Sequence, residues 1–265
     1  MRIPSLIPSW IINALSSIIL IRPDWPAPAN IKALSTTRQG GFSSPPYHSF
    51  NLASHVGDDK TVVEQNRAEL ARHMPAQPIW LDQTHTNKVI ELGIEPHTIS
   101  QSESFDASIT RVPQLGCVVM TADCLPILLT DTAGSFVAAV HAGWRGLANG
   151  IIANVMARVE QAGNSEVLAW LGPAISQQHF AVGDDVRDIF IALSPDNQTA
   201  FIPHPLHHNK WLGDIYALAT QQLNALAIHH IYGGEYCTYG QSELFHSYRR
   251  DGVSGRMASA IWMTS

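Results

Sequence analysis

At 265 residues, with 45 % hydrophobic and 14 % charged residues, the chain holds enough apolar material for a large core and is excluded from the disordered class. Its formal charge of −6, without any Lys/Arg cluster, argues against nucleic acid as a partner. Three scattered cysteines, Cys117, Cys124 and Cys237, exclude a disulfide framework and point to a reducing, cytoplasmic compartment.

The first element in chain order is "WIINALSSIILI" at 10–21, mostly apolar but too short to span a membrane. No membrane partner is expected. Ala27-Pro28-Ala29 matches a signal-cleavage pattern, but Arg2 alone supplies upstream charge, and Pro4 and Pro8 interrupt the segment. Residues 1–22 are therefore read as an N-terminal extension, loosely ordered or not native, ahead of one domain over 23–265.

Next, "KTVVEQNRAELARHM" reads as a helix capped by Asp58 or Asp59. The runs "KVIEL", "GCVVMT", "LPILLT", "SFVAAV", "EVLAWL" and "MASAIWM" read as strands, several of them buried on both faces. Leu147, Ile151, Val155 and Val159 recur every four residues, which predicts one helix closed by Gly163. Asp184 and Asp214 are placed to cap two further helices. The pairs His207–His208 and His229–His230 read as loop and helix-end residues without a special role. Strands and helices mix without strict alternation, so the expected fold is α/β, a single domain with a mixed β-sheet flanked by helices.

Within "MTADCLPILLTDTAGSFVAAVHAGWRG", residues 120–146, two apolar runs flank a turn. With Thr132 and Ala133 as a two-residue loop, Cys124 falls opposite His141 on one face of a hairpin. A bulge at Gly134 would shift that register by one. Such a pair suits zinc ligation, with His85 of "WLDQTHTNKVIEL" as a third ligand. It equally suits a thiol activated by an imidazole, or an ordinary buried cysteine beside a strand-end histidine. Glycines around Trp144 and Arg145 in "HAGWRG" precede a helix start, an arrangement that suits an anion. Arg38 in "TTRQGGFS" and Arg249–Arg250 in "SYRRDG" are similar candidates, and surface ion pairing accounts for each equally well. No zinc-protease helix, phosphate loop, nucleophile elbow or dinucleotide fingerprint occurs, and the deaminase H-x-E/P-C-x-x-C pair is missing. Without H-x-H spacing, a multicopper centre is disfavoured.

These motifs, with "SFNLASHVGDD", "AWLGPAIS", "CTY" and "GRMASAIW", closely resemble the YfiH-like laccase-domain family over roughly 23–263. That family is also described as purine nucleoside phosphorylases or peptidoglycan editing factors. The resemblance implies an α/β domain holding a metal, taken as zinc, on His85, Cys124 and His141. It implies a transferase that phosphorolyses adenosine, inosine and methylthioadenosine, with a hydrolytic adenosine deaminase activity beside it. Nucleoside and phosphate are then the partners, with Arg38, Arg145 and Arg250 as hydrogen-bond donors to phosphate. Asp123 is expected to orient a ligand or, equally, to act as a buried cap. The alternatives are a zinc or Cys/His hydrolase editing mis-aminoacylated muramyl precursors, a polyphenol oxidase, and a non-enzymatic metal-binding protein.

Overall fold

The apolar runs lack an outward polar alternation because the chain stacks them into two sheets, which leaves most strands covered on both faces. The computed structural model describes residues 18–74, 76–93, 103–159 and 165–265. In chain order the first strands are β1 (Leu20–Ile21), β2 (Ile31–Thr36), β3 (Gln77–Ile79), β4 (Val89–Leu92), β5 (Ala107–Thr110) and β6 (Leu115–Thr121). There follow β7 (Leu125–Asp131), β8 (Val137–Ala142), β9 (Val167–Leu171) and β10 (Ala181–Val182). The last are β11 (Phe201–Pro203), β12 (Trp211–Gly213), β13 (His230–Gly233) and β14 (Met257–Met263). The helices are α1 (Lys60–Ala71), α2 (Trp144–Ala148), α3 (Ile151–Met156), α4 (Asp184–Leu193), α5 (Ile215–Ala225) and the one-turn α6 (Tyr248–Asp251).

A five-stranded sheet runs β1-β2-β14-β6-β3, a six-stranded sheet β13-β9-β7-β8-β5-β4, and a small one β10-β12-β11. The pairs β3/β6, β4/β5 and β9/β13 are parallel and the others antiparallel. Side chains from both large sheets, among them Ala33, Val119 and Ile261 against Leu128, Ala139 and Trp170, form the layer between them. The outer face of the six-stranded sheet packs on α2 to α5 through Leu147, Ile151, Phe190 and Leu218. The outer face of the five-stranded sheet packs on α1 through Leu70. The fold is thus a single α/β domain with mixed sheets flanked by helices, the expected class, but built on two stacked sheets rather than one. Among the described residues no helix is long and apolar enough to cross a membrane.

Asp59, not Asp58, caps α1, accepting from the Thr61 and Val62 amides. Asp214 caps α5 through the Ala217 amide. Asp184 does not cap α4: Gly183 occupies that position, and Asp184 lies in the first turn, where its charge still favours the helix N-terminus. The single helix expected from Leu147 to Val159 is two, because Gly150 takes a left-handed φ of 78° and restarts the chain as α3. Gly163 lies outside the described residues. Leu20–Ile21, inside the segment set apart as an extension, pairs with Ser35–Thr36 as the edge of the five-stranded sheet.

The hairpin register also differs from expectation. Pro126, not Cys124, pairs with His141, and Thr130 pairs with Val137. The connection is longer than two residues because the Asp131 carboxylate folds back on it. It accepts from the Ser135 amide at 2.7 Å and the Ser135 hydroxyl at 2.6 Å, while Gly134 turns with φ 63°. Cys124 consequently stands just before β7, diagonal to His141 on the shared face and opposite Gly143. A diagonal pair is still within reach of long side chains.

Leu128 is fully buried between the sheets. Leu128→Ala should cost about 2–5 kcal/mol through lost burial and a cavity, read as a lower urea midpoint with an unchanged slope.

Candidate metal centre

The three residues of the centre meet at one end of the six-stranded sheet, two from connections and one from a strand. Cys124 sits in the corner where the chain passes from β6 in one sheet to β7 in the other. His85 lies on the loop from β3 to β4, which makes the same crossing. His141 is in the last turn of pleat of β8, beside the starts of β5 and β7. The ligand atoms of His85, Cys124 and His141 all lie within 4.8 Å of one another. Sequence separation hides this; the two crossings create it.

The carboxylate of Asp106, immediately before β5 and fully buried, fixes two of the three. Its Oδ1 lies 2.6 Å from His141 Nδ1 and accepts from the His85 amide at 3.0 Å. Its Oδ2 accepts from the Thr86 amide at 2.6 Å, the Thr86 hydroxyl at 2.8 Å and the Thr84 amide at 3.3 Å. Wrapping three successive amides around one carboxylate puts His85 in a left-handed conformation, φ 61°. Burial would raise the Asp106 pKa, but the His141 hydrogen bond and charge, with the Thr86 donors, hold it below the ordinary value. With Nδ1 engaged, Nε2 is the free ring nitrogen of His141.

The donor set fits zinc. A thiolate about 2.3 Å and an imidazole nitrogen about 2.0–2.1 Å from zinc stand about 3.6 Å apart at a tetrahedral angle. Cys124 Sγ and His85 Nε2 are 3.6 Å apart. Gly143 leaves the space: a Cβ there would lie 2.9 Å from the His85 ring and 3.0 Å from Cys124 Sγ. Burial disfavours the Cys124 thiolate, but the charges and hydrogen bonds of His141 and His85 outweigh it and bring the thiol down to about 6. His141, opposed by burial and supported by Cys124 and Asp106, is raised to about 9. Without metal the two therefore form a thiolate–imidazolium pair at neutral pH.

The Asp123 carboxylate bonds to the C-terminal part of the chain. It accepts from the Thr238 hydroxyl at 2.7 Å and the Arg249 amide at 2.6 Å, and so ties the Cys124 corner to the C-terminal segment. Of the two roles read for Asp123, orienting a ligand or acting as a buried cap, the bond to the Arg249 amide in the first turn of α6 accords with the second, while Asp106 bonds His141.

The cluster opens into a cavity of about 560 Å³. Trp144, Phe180 and Tyr248 give it aromatic walls, Ile175 and Ile215 aliphatic ones, and Arg145, Arg249 and Arg256 bring positive charge. Arg145 lies over the Trp144 ring at 4.3 Å. Arg38 and Arg250 line a different surface depression, with His48 and Asp251. Arg250 is occupied there by the Thr238, Tyr239 and Phe245 carbonyls and by Asp251. Arg38 is held by the His48 and Ser242 carbonyls. Sequence reasoning did not single out Asp106, Arg256 or His55, which also lines the cavity. Arg256 stands in the quoted "GRMASAIW" and was findable there; Asp106 in "FDASI" carries no spacing signal toward partners 20 to 35 residues away.

The family model described as "Multi-copper polyphenol oxidoreductase laccase" matches residues 32–264. A purine nucleoside phosphorylase of Haemophilus influenzae is 48% identical over 244 residues, covering 91% of this chain and 98% of that protein. The purine nucleoside phosphorylase YfiH of Escherichia coli K12 is 47% identical over 247 residues, covering 92% and 98%. Among solved structures, a Neisseria meningitidis protein superposes with a TM-score of 0.85 at 44% identity, covering 93% of this chain and 99% of that one. The Bacillus licheniformis hypothetical protein YfiH gives 0.83 at 29% identity, covering 96% and 98%.

Two outcomes follow for metal binding. Asp106→Asn should weaken zinc about 10–100-fold, measured by chelator competition on folded protein, because His141 and the His85 loop lose their common acceptor. Zinc binding at pH 7.5 should release about one proton, that of His141, because the thiol near 6 is already ionised and the imidazole near 9 is not. Release should grow as pH falls through 6, where the thiol is protonated too, and vanish above 9. Calorimetry in buffers of differing ionisation enthalpy reads it directly.

Proposed function

We propose, from the premise that the chain belongs to the YfiH-like multi-copper polyphenol oxidoreductase laccase family, that it is a zinc-dependent purine nucleoside phosphorylase. Adenosine, inosine and methylthioadenosine are its substrates, and adenosine deamination is a second activity of the same site. The observation that carries this reading is the His85/Cys124/His141 cluster opening into a cavity with aromatic walls on one side and arginines on the other. The phosphorylases among its relatives support it.

Zinc held by the three ligands would supply Lewis acidity at an open coordination position. The remaining work falls to the chain. Trp144, Phe180 and Tyr248 offer faces on which a purine can stack, and Ile175 and Ile215 exclude water from the same space. Arg145 offers planar donors matched to phosphate, and its guanidinium has no ion pair among the described residues. Arg249 and Arg256 add positive charge where phosphate attacks the anomeric carbon and the base departs. Asp123 acts as a positioning carboxylate for the Cys124 corner. Free cysteines throughout fit a reducing, cytoplasmic setting.

A second reading draws on the Cys124–His141 pair itself. A thiol brought down to about 6 beside an imidazole is a ready nucleophile, and it suits a hydrolase acting on muramyl precursors.

Zinc-loaded protein should form ribose 1-phosphate from inosine only when phosphate is present. Cys124→Ala should lose the metal and the activity together, and Arg145→Ala should raise the KM for phosphate about tenfold or more. Zinc-loaded protein inert towards all three nucleosides would sink the phosphorylase. Metal-free protein that hydrolyses a muramyl substrate and is trapped at Cys124 by a thiol reagent would establish the second reading. Two histidines and a cysteinate also suit copper, so retention of copper in place of zinc would overturn the metal assignment.

A further inference from the structure

A second sulfur–imidazole pair lies outside the cavity, where residues 176–179, just before β10, meet the chain after β13. Cys237 Sγ accepts from the Ser176 hydroxyl at 3.0 Å and from the Gly240 amide at 3.3 Å, and lies 3.4 Å from His179 Nδ1. Ser176 Oγ is itself 3.4 Å from the same ring nitrogen. Tyr239 stacks on the His179 ring, with centroids 4.3 Å apart, and fixes its plane. Nucleophile, base and a group that orients the base are thus assembled as in activated thiols. None of these residues belongs to the zinc cluster or lines its cavity.

Packing distinguishes this thiol from the other two. Cys117 is fully buried and its thiol is pushed up to about 12 by that burial, which makes it inert. Cys124 is committed to the metal cluster. Cys237 is only half-buried, and its exposed neighbour Gly240 has no side chain to shield the sulfur. A Cβ at Gly240 would rest 3.5 Å from Sγ, in ordinary contact, and would narrow the approach. Burial raises the Cys237 pKa, but the Ser176 and Gly240 hydrogen bonds more than offset it, leaving the thiol below its ordinary value.

We propose that Cys237 is a reactive modification site that takes up a small thiol by exchange with a low-molecular-weight disulfide, with His179 as its base. The Cys237 proton passes to His179 Nδ1, and the thiolate attacks one sulfur of the disulfide. The new S–S bond forms as the old one breaks, and the departing thiolate takes the proton from His179. One protein thiol and one disulfide give one mixed disulfide and one free small thiol, without any other oxidant.

The test treats the zinc-loaded chain with glutathione disulfide and follows intact mass and peptide maps with time and pH. One glutathionyl group should appear on Cys237, removable by dithiothreitol, at least tenfold faster than on a peptide spanning 235–241. His179→Asn should slow the reaction and shift its rate–pH profile upward. Gly240→Val should slow it without shifting that profile. Modification of Cys237 no faster than the peptide, or first addition at Cys124 or Cys117, overturns the proposal. Because the comparison with the peptide uses the native chain, it decides the matter even where a variant fails to fold.

Discussion

The buried carboxylate of Asp106 is the constraint on which the metal centre depends. A carboxylate removed from water is costly unless its lone pairs are filled. Here the filling groups belong to the candidate metal cluster: the His141 ring and the three amides of the loop that carries His85. The chain therefore satisfies one electrostatic demand and, in doing so, aims two ligands. A purely apolar residue before β5 would pack as well but would leave the Thr84–Thr86 amides and the His141 Nδ1–H without acceptors. Stability and function are coupled at this point because the same hydrogen bonds serve both.

The architecture supplies what a hydrogen bond cannot, which is proximity across long stretches of chain. The connections β3 to β4 and β6 to β7 both pass from one sheet to the other at the same end. Such crossings must leave the regular ladder, and irregular backbone is where special conformations concentrate. His85 and Asp123 both have positive φ there, 61° and 91°. Gly143, opposite Cys124 in the continued register, keeps the space between the donors free of side chains. The layers on either side are rigid and apolar, so the ligands are held by packed sheet ends rather than by a mobile loop.

Strand positions were legible because a strand covered on both faces must be apolar throughout, and "LPILLT" and "MASAIWM" have that composition at strand length. What such runs cannot encode is which sheet they join, since a doubly covered strand looks the same in either layer. Hence one sheet was expected where two are stacked. Register failed for a local reason: Asp131 prefers its own Ser135 over the ladder partner a two-residue turn would give it. The four-residue periodicity from Leu147 reports a common buried face truly, yet a face can persist across a break at Gly150. The three side chains of the candidate metal cluster were legible through their motifs. Asp106 was not, because its partners are fixed by tertiary contact and leave no periodic trace.

The arginines differ in how the fold uses their donors. Arg38, Arg145 and Arg250 look equivalent in sequence, each beside glycine or another polar residue. In the fold, Arg250 spends its donors on backbone carbonyls and Asp251, and so acts as a clasp for the 238–245 segment. Arg145 instead rests on the Trp144 ring, an arrangement that orients the guanidinium, and it makes no ion pair among the described residues. A guanidinium whose donors are filled by the protein has little left for an anion, whereas a stacked one has lost orientational freedom without losing donors. The discriminating property is hydrogen-bond occupancy, which only the packed structure reveals. Arg145, Arg249 and Arg256 bring positive charge to the cavity itself, and the clasp at Arg250 bears on it only indirectly, by holding the segment through which Thr238 reaches Asp123.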